Sequence, residues 1–318
     1  MLNRRHIRIK VMQAIYIYWN SAGDKTEYQV EQEMMKSIYK LYDLYLYLLL
    51  FVKELTFFTE KYDSEVRATK ISSAREIKMN QLFYSNKLIE KLNSSVTLEK
   101  ELSQRKLIWD TEDVSLLRKV FLDLKNTEIY KEFINQEEPT DEVTLELFAF
   151  ILKQYTVNFA LLDQFLEEKF FNWLDDSKLS VQMAIKTFKN ILSDSENDDI
   201  LLPLSQDDDV SIEFAKELFN IAIREHVTLD KLIVSKIDKW EPSRIPLVDH
   251  IILQMGITEF MHFQSIPVKV TINECIELAK YYSTPNSKKF INGVLDNILT
   301  DLEKENKINK KGLGLLDK

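Results

Sequence analysis

Only five glycines and six prolines punctuate 318 residues. Folds with many strands need frequent tight turns and draw on both residues to make them. Their scarcity, beside abundant Leu, Ile, Lys and Glu, excludes a turn-rich β protein and predicts long helices. The expected class is all-α, with the length of about two domains. The single cysteine, Cys275, rules out an internal disulfide and a cysteine-rich zinc site, and suits a reducing, cytoplasmic setting. Long apolar runs are also missing. The greasiest stretch, Leu44 to Val52, is nine residues long between Asp43 and Lys53, against the roughly 20 that a membrane helix requires. It reads as a buried helix, and no membrane partner is expected. Basic Arg4 to Lys10 is not followed by an uninterrupted apolar region with a small-residue cleavage site, so the start does not read as a signal peptide.

The motifs of common catalytic classes are absent too. There is no GxxxxGK[ST], GxGxxG or GxSxG pattern, which removes the usual phosphate loops and the nucleophile elbow. The four histidines, His6, His226, His250 and His262, show no metal-ligand spacing. His250 and His262 lie about 18 Å apart if both sit on one helix. Cys275, within a helical pattern, reads as a small buried thiol. No cofactor, no metal and no enzymatic activity are expected. A formal net charge of -9 gives no general nucleic-acid footprint, so any such binding must come from a local patch.

What the chain does contain is helical periodicity. Helices are expected over 3–20, 26–62 (Ile38, Leu41, Tyr45, Leu48 and Val52 on one face), 64–94, 111–134, 140–176 and 178–192. Thr111 opens its segment with half a capping box, since Val114 stands where Glu is wanted. Gly23 reads as a helix C-terminal cap. The acidic stretch 193–209, with Pro203, is the linker candidate. Further helices follow over 209–225, from Thr228 as N-cap, from Arg244-Ile245-Pro246 to His262, over 267–282, and over 285–304. The tail from Lys307 is expected to fray.

Two helix starts carry the wrong charge. A helix N-terminus is partially positive and favours Asp or Glu. The first helix instead begins with Arg4, Arg5 and Arg8, with His6 and Lys10 among them, and continues through Tyr16 to Trp19. The last begins Asn286-Ser287-Lys288-Lys289-Phe290. Cations at a helix N-terminus make a phosphate site, and a ring beside cations offers a surface on which single-stranded RNA stacks. Gly293, inside the last helix, predicts a close helix approach. Asn273 and Glu274, polar residues in an apolar helix, predict helix-to-helix hydrogen bonds.

Ile266 to Lys280, IPVKVTINECIELAK, and Asn286 to Asp296, NSKKFINGVLD, in order and correctly spaced, resemble the VPYKVAINEAIELAK and DSHKFVNGVLD stretches of the bacterial transcription antitermination factor NusB family. Arg4 to Arg8 with Gln13-Ala14-Ile15-Tyr16 is similar to that family's arginine-rich first helix, and Ile252 to Phe260 to its LRIALYEL helix. The resemblance covers about 1–21 and 205–305. It implies two packed helical bundles, with 22–204 as an inserted helical region and 306–318 as a flexible tail. It further implies binding of boxA RNA from ribosomal RNA operons together with NusE, a small-subunit ribosomal protein, and action on the transcription elongation complex. On this mapping Arg4, Arg5, His6, Arg8 and Tyr16 contact RNA, Lys289 and Phe290 extend that surface, and Glu259 faces the protein partner. His6 stands where Arg is common and Asn286 where Asp is common.

Two other readings stand beside this one. The first is a non-catalytic interaction scaffold that uses the Tyr-, Leu- and Phe-rich helices of the insert. The second is an RNA methyltransferase, because a similar helical domain is fused to such enzymes. Only a short tail follows residue 305, and no Gly-rich cofactor loop is present, which disfavours the methyltransferase.

Overall fold

A computed structural model describes residues 4–69, 80–110, 113–193, 199–204, 208–237 and 245–315. Every α- or β-type element among them is an α-helix: α1 (Arg4–Asn20), α2 (Glu27–Thr69), α3 (Lys87–Ser94), α4 (Val96–Arg105), α5 (Val114–Leu124), α6 (Glu128–Ile134), α7 (Asp141–Val157), α8 (Ala160–Lys169), α9 (Trp173–Ser193), α10 (Asp208–Arg224), α11 (His226–Val234), α12 (Leu247–His262), α13 (Val268–Tyr282) and α14 (Ser287–Lys304). The fold is all-α, as the scarcity of Gly and Pro predicts. Thr111, much of the 193–209 linker, and Arg244 lie outside the described residues.

The chain forms two compact units. One spans 39–204; the other joins residues 2–38 to 205–318. The change of unit falls inside α2, between Ile38 and Tyr39, well past the break at 21–24 that the sequence suggests. α2 opens with a capping box. The Thr26 hydroxyl accepts from the Gln29 N–H, and the Gln29 side chain accepts from the Thr26 N–H.

In the 39–204 unit the apolar run Leu44–Val52 is buried, as expected. Around it α7 packs on α8 and α9, α3 on α9, and α6 on α7. Rings fill the interior: Phe83 stacks on Phe148 at 5.4 Å, and Phe121 meets Phe58, Tyr62 and Tyr130 edge-on. Three long helices expected here are each broken. The 64–94 segment begins inside α2 and is interrupted at Ser85-Asn86, where the Asn86 side chain caps α3 by accepting from the Ile89 N–H. The 111–134 segment is interrupted at Asn126-Thr127, where Thr127 caps α6 by accepting from the Tyr130 N–H. The 140–176 segment bends at Asn158-Phe159, and the α7–α8 pair turns by 73° there. Asn and Thr compete for backbone hydrogen bonds, which apolar periodicity does not register. No single described helix is long and apolar enough to cross a membrane; the bent α7–α8 pair passes on length and composition alone.

The other unit is organised around α12, which contacts α1, α10, α11, α13 and α14. All ten residues from Ile251 to Phe260 are buried, so this helix is enclosed on every side. The close approach is at Gly256: a Cβ there would lie 3.0 Å from Cys275 Sγ and 3.0 Å from Leu295 Cδ2. At Gly293, expected to fill that role, a Cβ would meet nothing within 4 Å. Gly293 is therefore not a packing glycine. The tail also departs from expectation. Lys310 Nζ donates to the Glu259 and Phe263 carbonyls at 2.9 Å, and the Lys311 N–H to the Gln264 carbonyl at 3.0 Å. A cation thus caps the C-terminal end of α12, where the helix dipole is negative.

Candidate nucleic-acid interface

The three arginines of α1 divide between two sides of the helix. Arg4 and Arg8 share a face, being four residues apart, and both guanidinium groups lie over the Phe214 ring of α10, at 5.7 and 5.4 Å. Arg8 goes inward and is 1% exposed. Its Nε and Nη2 donate to Glu259 Oε1 and Oε2 at 2.5 and 2.6 Å, and the Thr271 hydroxyl donates to Oε2 at 2.9 Å. Burial pulls the Arg8 guanidinium toward its neutral form, but the charge and hydrogen bonds of Glu259 outweigh that and hold it charged.

This overturns two expectations at once. Arg8 is no RNA contact, because no solvent-borne phosphate reaches it. Glu259, fully buried, is no partner surface. Each is the counter-charge of the other.

Arg5 is different. It is 43% exposed and reaches α13, where its Nε and Nη2 donate to Glu274 Oε2 and Oε1, both at 2.8 Å. The helix-to-helix bond expected of Glu274 is this one; Asn273 is exposed instead. Glu277 and Tyr281 add to the field that raises the Arg5 pKa, behind the Glu274 hydrogen bond. A guanidinium has two bidentate edges. Glu274 uses the Nε–Nη2 edge and leaves Nη1–Nη2 available. His6, between these arginines, is half-buried. Burial, then the positive charges of Lys10 and Arg5, press its pKa down to about 4, so it adds no charge at neutral pH. Lys10 is buried.

Tyr16 is 44% exposed. It lies eleven residues beyond Arg5, just over three full turns, on the same side of α1 and about 16 Å along it. At the other cationic helix start, Ser287 is buried and donates to Asp249 Oδ2 at 2.6 Å, which ties α14 to the start of α12. Lys288 and Lys289 are exposed, and Phe290 is half-buried. Neither α1 nor α14 has a carboxylate in its first turn. Asp249 and Glu259 are ten residues apart on α12, about 15 Å, so the two cationic starts do not converge on one point.

Among the described residues no three His, Cys, Asp or Glu side chains are grouped to hold a metal ion. Cys275 is buried, and burial pushes its thiol well above the ordinary range.

The NusB family profile matches residues 168–300. Over 117 residues the chain is 40% identical to the transcription antitermination protein NusB of Salinibacter ruber, covering 37% of this chain and 72% of that protein. The chain belongs to the NusB family. Proteins of the same name from Chloroherpeton thalassium and Koribacter versatilis are 35% identical over 105 residues and 42% over 94. These alignments take in 33% and 30% of this chain, and 50% and 64% of the two relatives. The chain thus spans half of one relative and under two thirds of the other. The profile match leaves out α1, which packs against α10 and α12 of the NusB-like part.

Phe214, beneath the arginines, and Lys310, at the end of α12, carry no local signal in the sequence. Tyr281 does: it stands seven residues after Glu274, two turns along the same helix face.

Proposed function

We propose that this NusB-family protein is a non-catalytic RNA-binding adaptor of transcription antitermination. It binds boxA RNA of ribosomal RNA operons together with NusE, and acts on RNA polymerase within the elongation complex. The observation that carries this reading is the pair of exposed cationic helix starts, Arg4-Arg5 and Lys288-Lys289, without a carboxylate in either first turn. In a protein of net charge -9, they offer local phosphate sites. Arg4, Arg5 and Lys289 make the phosphate contacts; Tyr16 and Phe290 supply rings beside them. A cytoplasmic location goes with this reading.

The test is affinity for a boxA-containing RNA and a scrambled RNA, each with and without NusE, across salt. Preferential binding that weakens steeply with salt and strengthens with NusE is expected. Equal affinity for both RNAs under all conditions would refute the reading.

A second reading, a protein-interaction scaffold, is favoured by one observation in the 39–204 unit. Phe171 is 98% exposed, with exposed Leu174 one turn on. In that case Phe171→Ser abolishes capture of a protein partner and leaves RNA binding untouched.

A further inference from the structure

We infer that Tyr281 is a base-stacking residue for single-stranded RNA, working beside Arg5 as the adjoining phosphate contact. The inference rests on the RNA-binding reading above and adds to it a residue that neither the charge pattern nor the helix starts single out.

Tyr281 is 73% exposed, the ring of a large side chain left in water near the end of α13. Its place on the helix gives it a neighbourhood. Glu274, Glu277 and Tyr281 follow at intervals of three and four residues and share one face. Glu274 fixes the Arg5 guanidinium on that face with two bonds of 2.8 Å. Glu274 and Tyr281 are separated by about 10 Å along the axis. Beyond Tyr281 the chain turns through Ser283–Asn286 and enters α14 with exposed Lys288 and Lys289. Along the chain the exposed ring thus follows the helix face that holds the clamped arginine and precedes two exposed lysines.

The clamp decides what Arg5 can do. Glu274 occupies the Nε–Nη2 edge, so a phosphate enters at the Nη1–Nη2 edge, with two parallel hydrogen bonds available. Because the guanidinium is already oriented, the phosphate need not immobilise it. A nucleotide whose phosphate sits there places its base within reach of a neighbouring ring. Stacking on an exposed aromatic beside cations is how single strands are held without duplex geometry. Duplex RNA lacks a splayed base to offer, so the pairing of Tyr281 with Arg5 selects for a single strand. Glu277, bonded to Lys280, is the one other carboxylate on this row, and its charge is taken by that lysine.

The experiment uses the full chain and a boxA-containing single-stranded RNA carrying 2-aminopurine at successive positions. Tyr281→Ala is expected to weaken binding about 5- to 150-fold and to abolish the fluorescence quench at one position. Tyr281→Phe and Tyr281→Trp are expected to retain both. The salt dependence of Tyr281→Ala should match the original protein, whereas Arg5→Ala should flatten it by about one phosphate contact. If the original protein binds and Arg5→Ala weakens it, but Tyr281→Ala changes neither affinity nor quench, the stacking role is overturned and the RNA reading stands. A loss seen only when NusE is present would overturn it in favour of a protein contact. No RNA binding by the original protein overturns both.

Discussion

Arg8 and Glu259 form a two-bonded ion pair in the enclosed middle of the unit of residues 2–38 and 205–318, and the Thr271 hydroxyl takes a further lone pair of the carboxylate. Removing one member leaves an uncompensated buried charge, which typically destabilises by about 3–5 kcal/mol. Arg8→Met and Glu259→Leu should each show a large drop in the urea unfolding midpoint. The double variant should lose much less than the sum. Additive losses would mean that the pair contributes as two independent side chains.

The glycines of α12 and α14 should respond in opposite directions. Gly256→Val forces a branched side chain against Cys275 and Leu295, and overpacking of this kind typically destabilises by about 1–3 kcal/mol. Gly293→Ala meets open space and should stabilise by up to about 1 kcal/mol through helix propensity. Thermal melting of the two variants checks both signs.

The depressed pKa of His6, about 4, ties stability to pH. Between that value and the ordinary 6.5, the unfolded chain binds a proton that the folded one refuses, so stability rises with pH across this window. The contribution is complete above about 6.5 and is lost as pH falls toward 4. Its ceiling is on the order of 3 kcal/mol. His6→Gln should flatten the dependence of unfolding free energy on pH between 4 and 6.5. An unchanged slope would assign that dependence elsewhere.

Lys310 should matter in spite of its place near the chain end. Lys310→Met removes the two bonds to the α12 carbonyls and leaves the helix end without its cation. The expected loss is about 1 kcal/mol. Faster amide hydrogen exchange at the C-terminal turn of α12 is the local check, since a merely frayed tail would leave that exchange unaltered.

The fold class was readable from composition because few turn residues and many helix formers leave little else. The ends of α12, α13 and α14 were readable from Pro246, Pro267 and the polar stretch before Ser287. The roles of the arginines were not. Charge pattern makes Arg4, Arg5 and Arg8 equivalent, while helix geometry turns Arg5 to Glu274 and Arg8 inward to Glu259. The partners Glu259 and Glu274 are more than 250 positions away. Glu259 is placed on a partner surface by the family resemblance alone, and nothing in the local sequence marks it as buried. Only the packing of α1 onto α12 turns it into a buried counter-charge. Gly293 looked like a contact residue for a related reason, since periodicity places it on a helix without saying which faces are covered.

The unit that holds residues 2–38 and 205–318 is assembled from the two ends of the chain. At synthesis rates of about 5–20 residues per second, the 251 positions between Arg8 and Glu259 correspond to a wait of roughly 12–50 s. Throughout that interval α1 is outside the ribosome with its apolar row Ile7, Val11 and Ile15, fully buried once docked, and no seat to occupy. Until the last third of the protein arrives, those three side chains lack the α10 and α12 surfaces against which they pack.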